Sequence, residues 1–287
     1  RHAVVLATGS VPIEPPVEGL ADVQYWGTRE ATSSDEVPGR LLVLGAGVAG
    51  TELAQAYARL GSKVSVVARH GVLDSVPSPA AKLVVEALEA DGVDIYSNTS
   101  PERIFADTSG AIVMELPGGG RLTGDRLLVS TGRRPALEGL GLEQFGLDPA
   151  ALRTDDSGLV AGAGTWLYAV GDAAGKVLLT HQGKYEARAT GSAIAARARG
   201  EIGFGEPPAY SRFAATADHT AVPQVVFTDP EVAMVGLSHK DAVQRGIRAS
   251  ETSLPLSVAG SSLFADGYSG WAQMVVDEDR GIPVGFT

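Results

Sequence analysis

Short apolar runs alternate with polar gaps marked by glycine or proline, a pattern that predicts strands alternating with helices. RLLVL at residues 40–44 runs without a polar break into GAGVAG. A helix from Ala49 to Leu60 follows, stopped by Gly61, and then a second apolar strand, KVSVVA, at Lys63 to Ala68. Further on, Ser78 is placed to cap a helix over Pro79 to Ala90, with Leu83, Val84, Ala87 and Leu88 at helical spacing and Gly92 beyond the end. VDIYS, RIFAD, AIVMEL and RLTG read as short strands, with a glycine turn from Gly118 to Gly120 between the last two. RLLVSTG (Arg126 to Gly132) and TWLYAV (Thr165 to Val170) are further apolar strands, and HAVVL (His2 to Leu6) reads as a buried one. From Val222 onward, VPQVVFTDPEVAMVGLS tends toward buried strand character. The helix-like KDAVQRG and the strand GWAQMVVDED complete a unit with no nucleotide signature of its own.

The strand–turn–helix at Arg40 to Leu60 carries the clearest chemistry. Gly45 permits a tight turn off the strand, Gly47 allows backbone to approach a pyrophosphate, and Gly50 allows the helix to pack closely on the sheet. With Ala46, Val48 and Ala49 between them, these residues form a helix N-terminus whose amides and dipole favour an anion. Such units usually carry an acid about 20 residues beyond the glycines for the ribose hydroxyls of NAD. Here Arg69 and His70 follow the second strand, and no carboxylate appears before Asp74. A guanidinium suits a 2′-phosphate, so NADP(H) is favoured, with NAD(H) as the alternative.

Composition narrows the class. At 287 residues the chain exceeds one average domain, and its 44% apolar content is ordinary for a globular protein. A net charge of −11 argues against a nucleic-acid partner or an anionic membrane surface. There is no signal peptide and no apolar run of spanning length, which points to the cytoplasm. The chain has no cysteine, so none of these residues supplies a disulfide or a thiolate. It opens on Arg1 straight into a strand and closes on IPVGFT without a cap, as expected of a piece of a longer polypeptide.

Five blocks occur in order: ATGS (Ala7 to Ser10), GAGVAGTE (Gly45 to Glu52), STGRRP (Ser130 to Pro135), YAVGDAAGKVLLT (Tyr168 to Thr180) and VPQVVFTDPEVAMVG (Val222 to Gly236). In these blocks the chain resembles the class I pyridine nucleotide-disulfide oxidoreductases, the flavoprotein family of glutathione reductase, dihydrolipoamide dehydrogenase and mercuric reductase. The resemblance implies an α/β fold with two Rossmann-like three-layer domains, for FAD and NAD(P), and a C-terminal α+β interface domain. Residues 1–35 and 136–218 would belong to the FAD domain, 36–135 to the NAD(P) domain and 219–287 to the interface domain. The family's first half, which usually carries a cysteine pair, and its terminal histidine–glutamate motif have no counterpart here.

The same resemblance implies site roles. Ala7, Thr8, Gly9, Gly171 and Asp172 would meet FAD, with Asp172 accepting a hydrogen bond from the ribityl chain. Leu179, Thr180 and His181 would lie near the flavin ring, while Thr131, Gly132 and Arg133 would border the nicotinamide nucleotide and the flavin edge. Glu52 would pair with a lysine of the FAD domain and help to place the nicotinamide. The aliphatic Val48 stands where glutathione reductases often have an aromatic gate. The implied reaction passes hydride from the nicotinamide to flavin N5 and then to a disulfide or a small-molecule acceptor, in a homodimer. A transhydrogenase or oxidase of the same fold, and a non-catalytic NAD(P)-binding module, remain open. A short-chain dehydrogenase does not fit, because Tyr185 has Ala189 where that chemistry needs lysine.

Overall fold

The apolar run ahead of the glycines becomes a strand buried on both faces. Leu41 and Val43 enter one hydrophobic core, and Leu42 and Leu44 enter another. This is the period-two consequence of the pleat, and it requires a layer on each side of the sheet. The computed structural model describes residues 3–219, 221–256, 260 and 268–287. The chain divides into two compact units, one of Arg1–Val11 with Arg133–Val222 and the other of Pro12–Gly132 with Pro223–Thr287.

In chain order, β1 (Val4–Leu6) and β2 (Ser10–Pro12) precede α1 (Thr28–Ser33). The larger unit then runs β3 (Arg40–Leu44), α2 (Val48–Arg59), β4 (Lys63–Ala68), α3 (Ser78–Ala90) and β5 (Asp94–Ser97). It continues with β6 (Arg103–Ala106), β7 (Ile112–Leu116), β8 (Gly120–Gly124) and β9 (Arg126–Val129). A parallel sheet has the order β5-β4-β3-β9, with Val43 opposite Val66 on one side and Leu128 on the other. Ala54, Tyr57, Val84 and Leu88 of α2 and α3 fill one face, and Ile104, Met114 and Leu116 of the antiparallel β6–β7–β8 sheet fill the other. The Tyr57 hydroxyl donates to the Ala31 carbonyl at 2.7 Å and so ties α1 to α2.

The smaller unit holds β10 (Arg133–Pro135), which forms a ladder with β2, and β11 (Leu167–Ala169), which runs parallel to β1. The 19-residue α4 (Thr180–Ala198) follows. Its core gathers Leu137, Leu142, Val160, Leu167 and Ala173, with Leu6 packed against them. The remaining elements are β12 (Pro223–Val226), β13 (Val232–Gly236), α5 (His239–Gln244), β14 (Ala249–Pro255), β15 (Trp271–Asp277) and β16 (Ile282–Phe286). They form an antiparallel sheet, β12-β13-β16-β15-β14, beside one short helix, as an α+β unit should.

Several expectations need correction. Ser78 lies inside α3 and makes no cap. The carbonyl of Pro77 opens that helix instead, accepting from Ala80 and Ala81 N–H at 3.0 Å each. α2 begins one residue early, at Val48, with Gly47 as its N-cap. β1 is not buried: Val4 and Val5 are 44% and 43% exposed, because the strand has only β11 beside it among the described residues. His2, its expected first residue, lies outside those described. β12 is an edge strand with only Val226 buried.

Leu128 is fully buried in the parallel sheet and Leu60 is 63% exposed at the end of α2. Leu128→Ala should therefore cost about 2–5 kcal/mol in urea unfolding, and Leu60→Ala less than about 0.5 kcal/mol. Equal losses would contradict the layer assignment.

Candidate functional site

The glycine turn is as cramped as its spacing predicts. Gly45 has φ +106°, and a Cβ there would lie 2.6 Å from the Ser130 carbonyl oxygen. A Cβ on Gly50 would lie 2.1 Å from the Gly45 oxygen and 2.4 Å from Ser130 Oγ. Only glycine allows the first turn of α2 to meet the ends of β3 and β9 this closely. Gly47, by contrast, faces open space. The first-turn N–H groups of α2, beginning with Val48, Ala49 and Gly50, have no carbonyl partner within the helix and make an electropositive end. Ala46 is buried, and its carbonyl accepts from Leu73 N at 2.9 Å and Thr51 Oγ1 at 3.2 Å.

Arg69 and His70 stand exposed just past β4, with Arg69 Nε donating to His70 Nε2 at 3.2 Å. Thr131 Oγ1 donates to the Ile13 carbonyl at 2.8 Å, and the Gly132 carbonyl accepts from Ile13 N at 2.9 Å. Glu52 accepts from the Phe227 amide at 2.8 Å. Gln55 exchanges a pair of hydrogen bonds with the Asp229 backbone, at 2.8 and 2.9 Å, and Arg59 reaches the Asp229 carboxylate at 2.9 Å. One helical stripe of α2 thus grips the loop between β12 and β13. The local sequence shows no sign of it, because the partners lie some 170 residues away.

The smaller unit brings together a second set. Ser10 Oγ donates to the Asp172 carboxylate, while Arg133 donates to Ser10 Oγ at 2.8 Å and to the Ser10 carbonyl at 2.7 Å. The cluster lies just beyond the carboxyl ends of β1 and β11, where ligands of open α/β sheets bind. Ala7 and Thr8 are exposed after β1, and the Gly9 carbonyl accepts from Ala136 N at 2.9 Å. Leu179 caps α4, and Thr180 and His181 begin it. A cleft of about 470 Å³ adjoins the turn after Asp172, lined by Arg134, Leu137, Arg153, Ala173 and Gly175.

Sequence reading missed two contributors here. Ser10 lies inside the quoted ATGS block, and only the fold shows its link to Asp172. Glu186, on the buried face of α4, is 3% exposed and accepts from Gly171 N at 2.6 Å. Burial drives its pKa up to about 7, with Asp218 adding to the rise and the Gly171 N–H opposing it. The expected residues therefore fall into two groups. Gly45, Ala46, Gly47, Val48, Ala49, Gly50, Glu52, Arg69, His70, Thr131 and Gly132 belong to the larger unit. Ala7, Thr8, Gly9, Arg133, Gly171, Asp172, Leu179, Thr180 and His181 belong to the smaller. Among the described residues there is no grouping suited to a metal ion, and no helix long and apolar enough to cross a membrane.

Comparison with known proteins agrees with this geometry. The profile of the pyridine nucleotide-disulphide oxidoreductase family matches residues 2–199, and that of the family's dimerisation domain matches residues 222–287. The chain is 32% identical to dihydrolipoyl dehydrogenase 3 of Haloarcula marismortui, over 96% of this chain and 56% of that protein. It is 34% identical to a mercuric reductase of Acidithiobacillus ferrooxidans, over 98% of this chain and 48% of that one. It thus spans about half the length of the curated relatives it matches. An HOCl-induced flavoprotein disulfide reductase of Escherichia coli superposes over 99% of this chain and 63% of its own, with a TM-score of 0.81 at 24% identity. LpdA of Mycobacterium tuberculosis covers 99% of this chain and 59% of its own, with a TM-score of 0.77 at 26% identity. The glycine-cramped turn, the two units and the matched profiles agree: the chain belongs to the pyridine nucleotide-disulphide oxidoreductase family.

Proposed function

We propose that this chain is the nucleotide-binding portion of an FAD-dependent NAD(P)H oxidoreductase that passes electrons to a disulfide or another small acceptor. One observation carries the reading: the chain holds an open, electropositive helix end on one unit and the Ser10–Asp172–Arg133 cluster on the other. A module that only sensed nucleotide would have no use for the second. In this reading residues 1–35 and 136–218 would belong to the FAD domain, 36–135 to the NAD(P) domain and 219–287 to the dimer interface, with residues 12–35 packed in the larger compact unit.

The residues present fit both cofactors. Amides of Val48, Ala49 and Gly50 would bind a pyrophosphate, and Gly47 leaves room for it. Arg69 would hold a 2′-phosphate with its planar fork. Arg133 fixes the Ser10 hydroxyl, which in turn fixes the Asp172 carboxylate that would accept from a flavin ribityl hydroxyl. Glu52, held by the Phe227 amide, would help to place the nicotinamide from α2. When bound, nicotinamide and flavin supply the hydride chemistry, and the protein supplies position and electrostatics.

Asp172→Ala in the full-length protein should weaken FAD retention by about tenfold, the scale of one charged hydrogen bond. Retention equal to the parent's, followed by flavin fluorescence on dilution, would remove Asp172 from the flavin site. Arg69→Ala should raise the KM for NADPH about tenfold or more and spare that for NADH, since a charge-assisted hydrogen bond contributes about 1.5–3 kcal/mol. Equal effects on both nucleotides would overturn the preference for NADP(H). Light scattering of the full-length protein should give a dimer built through residues 219–287, and a monomer would contradict that assignment.

A further inference from the structure

Behind the Gly171–Asp172 turn lies a pair of carboxyl groups that the proposed reaction does not use. Glu186 of α4 spends Oε2 on the Gly171 amide, and its Oε1 is buried without a partner. Asp218 accepts from Gln182 Nε2 at 2.5 Å through Oδ1, and its Oδ2 is likewise buried without a partner. Gln182 lies one turn before Glu186 on the same buried face of α4, so its bond to Asp218 brings the two carboxyl groups to one place, where each shifts the other's pKa. Two ionised carboxylates have only acceptors, so they can satisfy neither leftover oxygen and repel one another. A single proton between them satisfies both oxygens at once.

We propose that Glu186 and Asp218 share one proton and together act as a positioning pair for the Gly171–Asp172 turn. Glu186 reaches that turn directly through the Gly171 amide. The first turn of α4 presses on it as well, since a Cβ on Gly183 would stand 3.0 Å from Gly171 Cα. Repulsion between two ionised carboxylates would move Glu186 away from Asp218 and drag the Gly171 amide it holds, shifting the residue that precedes Asp172. The consequence for flavin rests on the proposed role of Asp172, whereas the shared proton does not.

The surroundings set the pH window. Burial is the largest influence on both groups and raises both pKa values, with Glu186 reaching about 7 from 4.5. Lys176 opposes it from the turn side, with its ammonium on the Asp155 carbonyl at 2.9 Å and 3.9 Å from the Asp156 carboxylate. His219 sits on Asp156 at 2.6 Å and draws Asp218 downward. Tyr185 of α4 joins the same region through the Ala214 carbonyl and the Ala217 amide. A carboxyl whose folded pKa is raised binds its proton more tightly when folded. The stability it adds is complete below pH 4.5 and is lost as pH rises through about 7.

Amide substitution in the full-length protein tests the pair. Glu186→Gln or Asp218→Asn places one N–H where the shared proton lies and keeps the other hydrogen bonds. Each single variant should fold, retain FAD and lose the fall in melting temperature between pH 4.5 and about 7. The double variant sets one amide NH₂ against the other, so it should melt below either single variant and release FAD about tenfold faster. Single variants that keep the parent's pH profile, or that melt as low as the double, would overturn the proposal. If Asp172→Ala retains FAD fully, the flavin reading fails instead, and the melting profiles of the flavin-free proteins still decide the pair.

Discussion

The approach of α2 to the ends of β3 and β9 is the constraint on which the larger unit depends. With 2.1 Å between the Gly45 oxygen and a Cβ at Gly50, any other residue would lever the helix away from the sheet. The seated helix aims its unpaired amides at open space beyond Gly47 and carries Gln55 and Arg59 to the Asp229 loop. It also completes the core in which Ala54 and Tyr57 meet Leu41 and Val43. Packing, anion site and attachment of the C-terminal sheet share one steric cause.

The smaller unit works by hydrogen bonding. Arg133 donates to Ser10, Ser10 donates to Asp172, and Glu186 accepts from the amide just before Asp172. The Asp172 carboxylate proposed for the flavin thus accepts from the Ser10 hydroxyl, while Glu186 anchors the backbone just before it through the Gly171 amide. At its buried end, where Glu186 meets Asp218, such a network specifies one geometry only when every member is satisfied, which is the reason a proton between the two matters.

Where chemistry and periodicity are local, the sequence was legible. The unbroken apolar run at Arg40–Leu44, the three glycines and KVSVVA led to β3, α2 and β4 within a residue of their bounds. Errors arose where a partner outside the segment decides. Ser78 resembles a cap, yet the Pro77 carbonyl opens α3. HAVVL looks buried, but burial of Val4 and Val5 depends on what lies beside β1. The motif around Glu52 points to a nicotinamide role and stands unchanged, but the Phe227 amide that Glu52 accepts from leaves no trace in it. Glu186 carries no signal in the sequence, because a glutamate at that position reads as an ordinary surface charge until α4 is packed.

The central claim is that one protein holds a nicotinamide nucleotide and a flavin for hydride exchange. The most direct test is the visible absorption spectrum of the purified full-length protein before and after anaerobic addition of NADPH. The account predicts an oxidised-flavin band that NADPH bleaches. A colourless protein, or a flavin band that neither NADPH nor NADH reduces, would contradict it.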